Sequence, residues 1–143
     1  LEKKKKILDI GSGAGFPGIV CAICSNSNFI LVEANKKKCI FLSKVKKEID
    51  IKNVSIHNDR VENLQIIDNI DFITARAVAS LDKLFKYTFR FCKKGTQCIF
   101  LKGKKVFNEV EEARKKYEFE VKFVKSLTNE EGRILLIKNL KKR

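Results

Sequence analysis

Residues 8–19 read LDIGSGAGFPGI, and their reading decides the fold. Four glycines and the chain's only proline fall in this stretch, and no charge follows Asp9 there although the chain is 34% charged. KILDI (6–10) is an apolar run of strand length, and beyond Pro17 the pattern turns helical. Proline suits a first helical position. Open α/β sheets take their ligands beyond the carboxyl ends of the strands, where such a turn lies. Glycine permits positive φ and puts no Cβ between backbone and ligand. Gly11 and Gly13 are therefore read as turn and close-approach positions. The start of the next helix is expected to offer free N–H groups and positive partial charge.

Further strands are predicted over 28–34, 53–58, 71–77, 96–103, 119–127 and 132–140. Helices are predicted over 17–25, 36–49, 80–92 with Ser80 as N-cap, and 106–117, with a short helical turn at 60–65. Helix 36–49 is expected to turn Ile40, Phe41, Val45 and Ile49 inward. Strands alternating with helices give a parallel sheet covered on both faces. The last two strands, joined through a loop with Gly132, can pair antiparallel. Seven strands closing on a hairpin are the layout of a Rossmann-like class I methyltransferase, an α/β fold whose sheet is mostly parallel with an antiparallel last strand. One domain over 1–143 is expected from the length. The chain has no methionine and opens almost directly on a strand, which predicts a piece of a longer protein.

No apolar run nears the roughly 18 residues of a membrane span, and glycines interrupt the first apolar run too early for a secretory signal. The five cysteines are odd in number and scattered, which fits reduced thiols in a cytoplasmic chain. Cys21 and Cys24 form a CxxC without a second pair, and His57 is the single histidine. Buried packing is the expectation for those thiols, and no metal site is expected. The net charge of +14 favours a polyanionic partner. Its placement matters more than its size. Lys36–Lys38, Arg76, Lys102, Lys104 and Lys105 all follow strand ends, and Arg133 begins the reversed last strand. Four segments thus bring cations to one sheet edge, and Arg76, Lys102 and Arg133 are the candidates for substrate contact.

The ligand expected at the turn is a nucleoside, with a plain strand-to-helix turn as the alternative. Glu33 ends the second strand, where a carboxylate can accept from both ribose hydroxyls. That suits an adenosyl or a nicotinamide cofactor alike. DRVEN (59–63) can wall an adenine with Val61 and Glu62, although Asp59 could equally be a helix cap. Phe16 stands where a dinucleotide site has its third glycine, and with Pro17 it fits a pyrophosphate poorly. Both suit a phosphate-free ligand such as S-adenosylmethionine.

The blocks DIGSGAGFPGI, VEANKKKCIFLSKV, DRVENL, ITARAVASL and FLKGK resemble the bacterial methyltransferases that modify N7 of one guanine in small-subunit ribosomal RNA, the glucose-inhibited division protein B family. The resemblance covers nearly the whole chain. It implies S-adenosylmethionine held by Gly11, Gly13 and Phe16, with Glu33 at the ribose, Val61 and Glu62 at the adenine, and a ligand contact at Arg76. It also implies RNA contacts at Lys102 and Arg133, with ribosomal RNA or the assembled subunit as partner. A cytoplasmic monomer without metal or membrane contact completes the expectation. Two departures stand out. A helical N-terminal extension usual in the family is absent from the sequence, and Asn63 stands where a second acid is common. No catalytic base is expected, because guanine N7 has no proton to lose. The alternatives are a non-catalytic RNA-binding module and an NAD-linked oxidoreductase.

Overall fold

The computed structural model describes residues 4–65, 69–76, 79–127 and 130–143. Its elements run β1 (Lys6–Ile10), α1 (Gly18–Ile23), β2 (Asn28–Val32), α2 (Lys36–Glu48), β3 (Val54–His57), β4 (Phe72–Arg76), α3 (Leu81–Thr88), β5 (Gln97–Lys102), α4 (Val106–Arg114), β6 (Tyr117–Lys125) and β7 (Arg133–Lys142). The strands form one sheet in the order β3-β2-β1-β4-β5-β7-β6. Neighbours from β3 to β5 pair parallel, and β7 is antiparallel to both β5 and β6. The chain reverses its direction of travel across the sheet between β1 and β4. The crevice beyond their carboxyl ends is where such sheets bind ligands.

Strand alternation builds two cores. Leu8 and Ile10 of β1 join Ile73, Phe100 and Leu135 against Leu84 and Phe85 of α3 and Val110 of α4. The Phe85 ring meets Tyr117 and Phe119 edge-on, at centroid distances of 5.3 and 4.9 Å. On the opposite face Ile7, Phe29, Leu31 and Val54 pack against Ile19 and Ala22 of α1 and Leu42 of α2.

Several expectations are corrected. In α2 the buried positions are Cys39 and Leu42, while Ile40, Phe41 and Ile49 are each nearly half exposed. Asn35 sets this phase: its side chain accepts from the Lys38 N–H, and the Cys39 thiol donates to the Glu33 carbonyl. Val45 alone of the expected set packs against the core. Helix α3 stops at Thr88, and a 3-10 turn (Phe89–Phe91) follows. Ser80 occupies its N-cap without a capping bond, because its hydroxyl donates to Asp82. Tyr117 opens β6 rather than closing a helix. Cys21 and Cys24 are exposed, not packed. Ala77 lies outside the described residues.

Candidate active site

The glycine turn is strapped to the end of β2. The Gly11 and Ser12 N–H groups both donate to the Val32 carbonyl, at 2.8 and 3.2 Å. Gly11 and Gly13 have φ of 64° and 52°, the left-handed region that favours glycine. The Gly13 N–H donates to Glu33 Oε1 at 2.9 Å, and the Asn35 N–H to Oε2 at 2.9 Å. Glu33 is buried, and among the described residues each of its oxygens has one hydrogen-bond partner. A carboxylate offers about four lone-pair sites. Glu33 therefore keeps acceptor capacity on both oxygens for a pair of hydroxyls. Asn58 fixes the same strand end by donating to the Glu33 and Ala34 carbonyls, at 3.0 Å each.

Asp9 is a second anchor, and the sequence reading passed over it. It is buried beneath the turn and accepts from Thr74 Oγ1 at 2.6 Å and Ser12 Oγ at 2.8 Å. Burial pushes its carboxyl above the ordinary carboxylate range, and bonds from Thr74, Ser12 and the Gly18 N–H pull it partly back. The lone acid in an apolar strand was the available signal. Gly18 answers to the same carboxylate: a Cβ there would lie 2.5 Å from Asp9 Oδ2 and 2.6 Å from Leu31 Cδ2. The start of α1 is thereby closed to ligands, contrary to expectation. Pro17 has no N–H, the Gly18 N–H serves Asp9, and the Ile19 and Val20 N–H groups donate to the Gly15 carbonyl.

Two cavities open at this edge. The first, about 410 Å³, is lined by Gly11, Glu33, Lys38, Val61, Glu62 and Arg76, with Tyr87 at its wall. Such a volume is ordinary for a small-molecule site. Val61 opens a 3-10 turn (Val61–Asn63), and its carbonyl accepts from Arg90 Nη2 at 2.6 Å, which holds that wall in place. The second cavity, about 550 Å³, is lined by Phe16, Pro17, Cys21, Arg76, Lys102 and Arg133, among others. Arg76 borders both. It is exposed, and no hydrogen bond or ion pair holds its guanidinium among the described residues. Two expected cofactor residues do not line the first cavity: Gly13, which reaches it only through its bond to Glu33, and Phe16, which lines the second.

Lys102 is not a free cation. Its ammonium lies 2.8 Å from Glu109 Oε1 and donates to the Ala79 carbonyl at 2.5 Å, with the side chain only 6% exposed. The Leu81 N–H donates to the same Glu109 oxygen. The cluster ties α4 to the segment that leaves β4. Arg133 faces Lys102 across the β5–β7 pair, and its Nη1 donates to the Glu130 and Gly132 carbonyls. Lys36, Lys37 and Lys38 form the exposed first turn of α2. Among the described residues no group of three His, Cys, Asp or Glu side chains could hold a metal ion, and no helix is long and apolar enough to cross a membrane.

The sequence model of one family, rRNA small subunit methyltransferase G, matches residues 1–139. The chain belongs to this family. The protein of that name from Rickettsia prowazekii (strain Madrid E) is 39% identical over 141 residues, which span 99% of this chain and 72% of the relative. Among solved structures, an rRNA methylase from Streptococcus thermophilus superposes with a TM-score of 0.75 at 15% identity, covering 99% of this chain and 90% of that one. A SAM-dependent methyltransferase from Aquifex aeolicus gives a TM-score of 0.72 at 17% identity, over 93% and 83% of the two chains. These two likenesses establish the fold, which is the Rossmann-like class I methyltransferase architecture. Membership of the rRNA small subunit methyltransferase G family makes the protein an enzyme that uses S-adenosylmethionine. The cavity fits that cofactor: Gly11, in the left-handed region, lines it without a side chain, and Glu33 retains acceptors for a ribose.

Proposed function

We propose that this protein methylates N7 of a guanine in small-subunit ribosomal RNA, with its cofactor in the cavity backed by Glu33. The observation that carries this reading is Arg76, a cation shared by that nucleoside-sized cavity and a second one beside it. Glu33 would accept the ribose hydroxyls, Gly11 and Gly13 would lie under the ligand, and Val61 with Glu62 would flank the adenine. When bound, S-adenosylmethionine would supply a sulfonium methyl, which the guanine N7 lone pair would take as the C–S bonding pair returned to sulfur.

No proton moves in that transfer, so the chain's own residues need only align the reactants. The methylated base carries positive charge. Arg76 would therefore act at a phosphate or at O6, with N7 left clear. The reading takes the protein as cytoplasmic, since small-subunit RNA is its substrate. The test is incorporation of a tritiated methyl group. Label is expected in small-subunit RNA and not in large-subunit RNA, and label in neither would reject the proposal.

A further inference from the structure

The second cavity carries an assignment of its own. Phe16 is 53% exposed, and its neighbours Pro17 and Val20 extend the apolar surface, with Val20 41% exposed. No aromatic ring packs against Phe16 among the described residues. An open ring beside arginines, in a chain of net charge +14, is an arrangement that suits a nucleic-acid base. The cavity of about 550 Å³ is within the range that holds a nucleotide-sized group. Arg76 joins it to the cofactor cavity, so a base seated there lies next to the methyl donor's site. Enzymes that act on a base take it out of its stack and hold it between apolar or aromatic side chains.

We propose that Phe16 is the platform on which the target guanine stacks in the second cavity, with Arg76 reaching the base's O6. The inference rests on the methyltransferase reading above and deepens it. A guanine presents N7 and O6 as acceptors on one edge, and arginine is its common partner there. Stacking fixes the plane of the ring, and the donor to O6 fixes its rotation within that plane. Together they aim N7 toward the cavity that Arg76 shares. Phe16 is then a substrate residue rather than a wall of the cofactor site. Arg133, which also lines the cavity, would meet the nucleotide's phosphate.

The test compares wild type with Phe16→Ala, Phe16→Leu and Phe16→Tyr. Two readouts are taken: methyl transfer to subsaturating small-subunit RNA at saturating S-adenosylmethionine, and calorimetric affinity for S-adenosylhomocysteine. Loss of a stacking surface should slow Phe16→Ala about tenfold to a hundredfold. Phe16→Leu, which is apolar but not planar, should lose nearly as much, and Phe16→Tyr should keep most of the rate. Affinity for S-adenosylhomocysteine should be unchanged in all three, which also shows that they fold. Unchanged transfer by Phe16→Ala, full rescue by Phe16→Leu, or a parallel loss of S-adenosylhomocysteine affinity would each overturn the assignment. Absence of transfer by wild type would instead reject the methyltransferase reading, and the assignment with it.

Discussion

Lys102 ends β5 at the sheet edge where ligands bind, yet its ammonium is turned inward to Glu109 and the Ala79 carbonyl. Removing one partner of a buried pair leaves the other charge uncompensated, at a cost of about 3 kcal/mol. Lys102→Ala should therefore lower the urea unfolding midpoint markedly. An unchanged midpoint with weakened RNA binding would instead make Lys102 a free substrate cation. Asp9 gives a prediction of opposite sign to that for an ordinary salt-bridged acid. Its folded-state pKa is raised by burial, so the native chain binds its proton more tightly than the unfolded chain does. Stability contributed by this group is then fully present below the ordinary carboxylate range and is lost as pH rises through the raised value. Asp9→Asn abolishes that titration. The stability advantage of wild type over Asp9→Asn should shrink as pH rises from the acid side. An advantage that grows with pH would show that the carboxylate is stabilised as an anion instead.

The α1 helix is seated by the absence of a side chain. Gly18 lets its first turn meet both Asp9 and Leu31, and a methyl group there would overlap both. Overpacking of this kind costs about 1–3 kcal/mol. Gly18→Ala should lower the melting temperature, with an unchanged melt showing that α1 can shift to make room. Element types and their order were legible from apolar runs and glycine punctuation, and so was the turn after β1. Side-chain placement was only partly so. Cys98, Phe100 and Lys102 share one face of β5, and the first two are core residues. That alternation already pointed Lys102 inward, but a grouping by strand end overlooked it. The phase of α2 was not legible from hydrophobicity, because its exposed turns carry Ile40 and Phe41 while a cysteine takes a buried place. The cap at Asn35 decided it. Phe16 with Pro17 is legible as an apolar wall near the turn, but which of two adjoining cavities it lines depends on the tertiary path of the turn.

At the scale of the whole molecule, the sheet order gathers distant segments at one edge. Gly11 and Glu33 come from β1 and β2, Val61 follows β3, and Arg76 ends β4. Phe16 and Arg133 reach the second cavity from opposite ends of the chain. The strong positive charge surrounds this edge through the first turn of α2 and the residues after β5, as a phosphate-rich substrate requires. The central claim is that a methyl donor held against Glu33 reacts with guanine N7 presented from the adjoining cavity. The most direct measurement is transfer of labelled methyl to small-subunit RNA, followed by chain cleavage specific for N7-methylguanine. Wild type should produce one labelled cleavage site, and Glu33→Ala should abolish it while remaining folded. Label that resists such cleavage, or a site that persists undiminished in Glu33→Ala, would contradict the account.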